Sequence, residues 1–172
     1  MLVCHNCQSL LRPLSHFNKW QGCSCGIRRM SKEIITLQDL ITSSGSYNDR
    51  YSSPELTNEL KDNGILLINK VNQLLTDLNI NKVKVSSGFR PSNVNAKVPN
   101  STKKSAHMTC RAVDLMDDKQ QSLGLLIASK PDLLRKYGLF MEDLNSTKGK
   151  YTNWVHLDYV DRPDRPSRIF KP

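Results

Sequence analysis

Aromatic residues make up only 6% of this 172-residue chain, so no large aromatic binding platform is expected. Long hydrophobic runs are also missing. The longest, Ile65 to Ile68, is far too short to span a bilayer, so no membrane insertion is expected. The start, Met1-Leu2-Val3-Cys4-His5-Asn6-Cys7, lacks the basic head and sustained apolar core of a signal peptide. Synthesis in the cytosol is therefore expected, with another agent carrying the protein to any substrate beyond the membrane. Acidic residues are outnumbered, 16 against 25 Lys and Arg, giving a net charge of +9. A basic surface suits nucleic acid, anionic lipid or an anionic cell-wall polymer, and charge alone does not choose among them. An odd count of five cysteines without an export signal argues against a disulfide framework.

What is present divides into two parts. Residues 1–34 carry four of the five cysteines, Cys4, Cys7, Cys23 and Cys25, and show no clear periodicity. Residues 35–172 read as one α+β domain, a small antiparallel sheet with helices packed on one side. Leu37, Leu40 and Ile41 predict a helix over 36–42. Ser53 as a cap and Pro54 in a first turn predict a longer one, carried by Leu56, Leu60, Leu67, Val71, Leu74 and Leu78. Val83-Lys84-Val85 alternates as a strand. Residues 92–104 read as a surface loop. A buried strand is expected over 111–116, and short helices over 122–129 and from Pro131 to Gly138. Residues 139–142 and 153–159 form an antiparallel hairpin in this reading. The tail after Asp161, with Pro163, Pro166 and Pro172, should be extended.

Three segments carry chemistry: Ser105-Ala106-His107, Ala112-Val113-Asp114 and Trp154-Val155-His156-Leu157-Asp158. A catalytic zinc site takes three protein ligands and leaves one position to water, and two imidazoles with one carboxylate meet that count. Asp114 is flanked by Ala112, Val113 and Leu115, so its carboxylate is costly to bury without a cation. The plainer reading makes Asp114 the cap of the helix that follows and the histidines ordinary hydrogen-bonded residues.

The ordered set Ser87-Gly88-Phe89-Arg90-Pro91, Ser105-x-His107 with Asp114 seven residues on, and Trp154-Val155-His156 resembles the zinc D-Ala-D-Ala carboxypeptidase family. That family includes D-Ala-D-Ala dipeptidases and phage L-alanyl-D-glutamate endopeptidases, and the hedgehog signalling domain shares its fold. The resemblance covers residues 37–172 and is nearest to small phage-type members. It implies zinc held by His107, Asp114 and His156, an arginine, Arg90, that steadies substrate and developing negative charge, and a substrate-contacting hydroxyl on Ser105. The implied substrate is a peptidoglycan stem peptide, and the implied setting a phage lysin or virion-associated wall-cutting protein.

Two positions depart from the family pattern. Several members carry an acidic residue three positions before the last histidine, where this chain has Asn153, and an amide cannot shuttle a proton at neutral pH. Glu142, at the end of the strand expected to pair with 153–159, is the substitute general base, with Asp143 and Asp158 as rivals. Asp158 is alternatively an acceptor for a ligand histidine. Cys110 stands where glycine is frequent, which implies a backbone outside the left-handed region or a slightly altered bend. The pair Cys4-x-x-Cys7 and Cys23-x-Cys25 resembles a zinc-ribbon knuckle, implying a second, structural zinc. Because of Asn153, the competing expectation is a catalytically inactive zinc-binding module that retains the fold. Nucleic-acid binding through the basic N-terminal segment ranks third.

Overall fold

The computed structural model describes residues 2–3, 10–13, 20–21, 33–42, 53–99, 101–164 and 167–172. By backbone contacts the chain divides into two compact units, Met1–Met30 and Ser31–Pro172. In the first, strands β1 (Leu2–Val3), β2 (Leu10–Pro13) and β3 (Trp20–Gln21) form an antiparallel sheet in that order. Cys4, Cys7, Cys23 and Cys25 lie outside the described residues, and so does the structural-zinc expectation resting on them.

The second unit opens with helix α1 (Leu37–Thr42), started by a reciprocal cap. Thr36 Oγ1 accepts the Asp39 N–H at 3.1 Å, and the Asp39 carboxylate accepts the Thr36 N–H at 2.7 Å. Helix α2 runs over Asn58–Asp77 and starts later than Ser53-Pro54 predicted. Thr57 is the cap, its hydroxyl accepting the Leu60 N–H at 3.3 Å. Residues 53–56 instead make a turn, closed by Leu56 N–H on the Ser53 carbonyl at 3.0 Å. That turn aims Glu55 at Ser92, which donates its N–H and hydroxyl to the carboxylate.

Leu67, Val71, Leu74 and Leu75 form the inward stripe of α2 and are fully buried, each contributing about 1.5–3 kcal/mol. Asn72 interrupts this stripe for a reason. Its amide accepts N–H groups from Ile34 and Ile35 at 3.2 and 3.0 Å and donates to the Ile35 carbonyl at 2.9 Å. It thereby pins the segment leading into α1.

Strands β4 (Val85–Ser87), β5 (Ala112–Asp117), β6 (Phe140–Glu142), β7 (Asn153–Asp158) and β8 (Ile169–Phe170) form one sheet in the order β4-β5-β7-β6-β8. The sheet is mixed, not antiparallel throughout: β8 joins β6 in parallel, while the other pairings are antiparallel. The extended tail turns back and adds this edge strand. The hairpin of β6 and β7 matches its expectation. The first expected strand lies two residues later than 83–85, as β4. Residues 92–104 are more than a surface loop, because they contain the short helix α3 (Ser92–Asn95), in which Val94 and Asn95 are buried. Helices α4 (Ser122–Ala128) and α5 (Pro131–Tyr137) fall where expected.

Side chains alternate between sheet faces with period two. Val113, Leu115, Val155 and Leu157 are fully buried in one core with residues of α2 and α5. Asp114 and His156 must therefore project from the other face.

Candidate metal centre

Asp114 on β5 and His156 on β7 are direct cross-strand partners. His107 comes from a single 3-10 turn, Ala106–Thr109, which the hydroxyl of Ser105 caps by accepting the His107 N–H at 3.4 Å. The chain leaves that turn through Cys110 at φ 55 and ψ 25. The backbone there is left-handed after all, contrary to what a cysteine at that position implied. An L-residue costs about 1–2 kcal/mol in this region. The side chain offsets that cost by filling the core, with its Cβ 3.6 Å from where a β-carbon on Gly64 would lie. Burial pushes the Cys110 thiol up to about 12, and its side chain packs in the hydrophobic core, apart from the His107, Asp114 and His156 group.

The turn docks against Gly88, whose carbonyl lies 2.8 Å from His107 Nδ1. A carbonyl only accepts, so Nδ1 carries the proton and Nε2 presents its lone pair. His156 is oriented from the other end of its ring: Nε2 lies 3.3 Å from Asp158 Oδ2, leaving Nδ1 to face inward. Asp114 divides its two oxygens. Oδ2 accepts from Arg90 Nη2 at 2.7 Å, and Oδ1 lies 2.8 Å from His156 Nδ1 and 3.3 Å from His107 Nε2. The two ring nitrogens are themselves 3.3 Å apart.

His107, Asp114 and His156 can therefore offer three donor atoms to one ion, the group lying within 4.8 Å. A tetrahedral zinc about 2.0–2.1 Å from each ligand places neighbouring donors about 3.3–3.4 Å apart. Two of the three separations match, and the third needs a small opening. The buried Asp114 carboxylate needs a positive partner, which a proton on His156 or a bound cation can supply. The titration behaviour agrees. Burial lowers the His156 pKa, but hydrogen bonds to Asp114 and Asp158 outweigh it and raise the group to about 10. Burial lowers His107, keeping it neutral. Burial opposes the charge of Asp114, yet the two rings overcome it and hold the carboxyl below its usual range. The pocket thus favours one added positive charge.

Asp114 is not the cap of the following helix. Asp117 does that work, accepting from Leu123 and Gly124 N–H at 3.0 and 2.9 Å. Arg90 points at the candidate ligand carboxylate, and its Nε donates to Ser87 Oγ at 2.9 Å. A bulge in β4, where Val85 pairs with Leu115 but Ser87 with Asp114, brings Ser87 into that position.

Asn153 faces away from the site. Three positions from His156 on a regular strand is the opposite sheet face, and its amide is tied to the carbonyls of Asp118 and Lys119 and to the Gly149 N–H. Glu142 lies on the site face. Met141 pairs with Leu157, so continuing the register sets Glu142 across from His156. Burial raises its pKa, and it feels the charges of His156, Asp114, Asp158 and Arg90. Of its rivals, Asp143 caps the turn at Asn145, and Asp158 is held between His156 and Arg162. The sequence reading passed over Gly88, Ser87, Arg162 and Phe170. The first two were visible as part of a motif, but the tail carried no periodic signal.

Among the described residues no helix is long and apolar enough to cross a membrane. A family model described as Peptidase M15 matches residues 35–158, from the segment before α1 to the end of β7. No curated protein and no solved structure matches the chain.

Proposed function

Because the chain belongs to the peptidase M15 family over residues 35–158, we propose that it is a zinc metallopeptidase hydrolysing peptidoglycan stem peptides, of the D-Ala-D-Ala carboxypeptidase or L-Ala-D-Glu endopeptidase type. The observation that carries this reading is the convergence of His107 Nε2, Asp114 Oδ1 and His156 Nδ1. Zinc in that position would supply Lewis acidity toward water and the scissile carbonyl.

The protein's own groups supply the rest. Gly88 and Asp158 fix the ring orientations of the two histidines, and Arg90 fixes Asp114. Glu142 takes the proton from the attacking water on a carboxylate oxygen and returns it to the leaving nitrogen. Its half-buried setting raises its pKa and so strengthens it as a base. Arg90 adds positive potential where negative charge develops, and Ser105 is the candidate substrate hydroxyl. The lack of an acid at position 153 counts little against turnover, since Asn153 lies on the far face of β7.

A lysin or virion-associated wall-cutting role is the setting we favour, and the net charge of +9 suits an anionic wall polymer. Residues 1–34 are proposed as a separate module holding a second zinc through Cys4, Cys7, Cys23 and Cys25.

The test is purified protein on isolated cell walls, with newly exposed amino groups counted with and without chelator. Chelator-sensitive release is expected. Zinc-loaded protein that releases nothing would favour the binding module instead.

A further inference from the structure

We infer that Arg162, in the tail beyond the family-matched residues, is a positioning residue that holds Asp158 so that Asp158 can orient His156 toward the metal. The inference rests on the reading of His156 as a zinc ligand. The family match ends at Asp158, where β7 also ends. The chain then folds back within four residues. Val160 N–H donates to Asp158 Oδ1 at 3.1 Å, and the Arg162 guanidinium closes on both carboxylate oxygens, Nη1 on Oδ1 and Nη2 on Oδ2 at 2.8 Å. Nη1 also donates to the Val160 carbonyl at 3.2 Å.

The guanidinium is held in place by rings. It lies 4.1 Å from the Phe170 ring centroid and 5.0 Å from that of Phe140. Phe140 is the cross-strand partner of Asp158, and Phe170 comes from β8, whose ring also meets His156 edge-on at 6.2 Å. The tail strand thus closes a cage around one ion pair.

The physical need for the clamp comes from burial. The Asp158 side chain is 1% exposed, so water cannot complete its hydrogen bonds. One imidazole N–H at 3.3 Å and the Val160 N–H at 3.1 Å still leave part of its acceptor capacity unused. A bidentate guanidinium satisfies both oxygens and fixes the carboxylate plane. That plane decides whether Oδ2 faces His156 Nε2, and hence whether Nδ1 points at the ion. A lysine could supply the charge but not the two parallel bonds.

The experiment measures zinc dissociation constants by competition with a chromophoric chelator, beside thermal unfolding of the metal-free proteins. The proteins are the full chain, Arg162→Met, Arg162→Lys, Asp158→Asn and the Arg162→Met/Asp158→Asn double variant. Arg162→Met keeps the stem against the rings and should weaken zinc roughly tenfold or more, within the range for outer-shell partners. Arg162→Lys should fall between it and the parent. In the Asp158→Asn background, Arg162→Met should change the constant by less than about twofold, because its effect passes through Asp158. Losses that multiply in the double variant would assign Arg162 to packing and overturn the clamp. So would parental zinc affinity in Arg162→Lys, which decides the matter if the methionine variant does not fold. A parent protein that takes up no zinc in residues 31–172 would overturn the metal reading and the clamp with it.

Discussion

Gly88→Ala should damage both the fold and the metal centre through one added methyl group. A β-carbon on Gly88 would lie 2.0 Å from the Leu40 carbonyl oxygen and 2.7 Å from its carbon. Even a tight 3.0 Å contact demands a 1.0 Å displacement of one backbone against the other. The Phe89 N–H bond to that same Leu40 oxygen, 2.8 Å long, would stretch to about 3.8 Å and be lost. Phe89 and Leu40 are both fully buried, so the orphaned N–H costs about 1–3 kcal/mol. Strain in the packed core adds about 1–3 kcal/mol, for a total of about 2–6 kcal/mol. The Gly88 carbonyl also holds His107 Nδ1 at 2.8 Å, so its displacement should weaken zinc about 10–100-fold. Urea unfolding of the metal-free protein reads the first effect, and chelator competition the second. An alanine variant within about 1 kcal/mol of the parent and equal to it in zinc affinity would refute the close-approach argument.

Glu142→Gln should keep zinc and lose turnover about 10²–10⁴-fold; a fully active variant hands the base role elsewhere. In the metal-free protein, burial raises the Glu142 pKa above its ordinary 4.5. By linkage, the stability Glu142 contributes is present below its unfolded pKa and lost as pH rises through the higher folded one. The glutamine variant should lack that decline, and identical pH–stability curves for the two proteins would contradict the assignment. At Cys110, φ 55 makes glycine the least strained residue. Cys110→Gly should stay within about 1 kcal/mol of the parent, relief of strain offsetting the lost side chain, while the β-branched Cys110→Val should cost more. The reverse ranking in thermal melts would sink that account. Asn72→Ala removes three bonds to Ile34 and Ile35 and should cost about 2–5 kcal/mol in urea unfolding. A loss under about 1 kcal/mol would mean the segment before α1 is anchored otherwise.

The sequence by itself determined what is local. Residue type picked out two imidazoles and a carboxylate, because few side chains can hold a metal. Period-two alternation placed Asp114 and His156 opposite their core-facing neighbours, and three- and four-residue spacing marked the buried stripe of α2. Even the hairpin that brings Glu142 near His156 followed from two adjacent strands and a polar loop. Tertiary structure decided the rest. Ser53 read as the cap of α2, yet Thr57 caps it, and Ser53 opens a turn whose Glu55 is held by Ser92 from 37 residues away. Cys110 adopts a left-handed backbone because a pocket beside Gly64 receives its side chain. Arg90 spends its guanidinium on Asp114 because a bulge aligns Ser87 below it. Most of all, the tail had no periodicity to read. Two residues of β8 and one arginine find their places through a parallel pairing, two aromatic rings and a buried carboxylate. The carboxylate is only four residues from the arginine, but the paired strand β6 and the Phe140 ring are far off in sequence, and short-range pattern encodes faces but not neighbours.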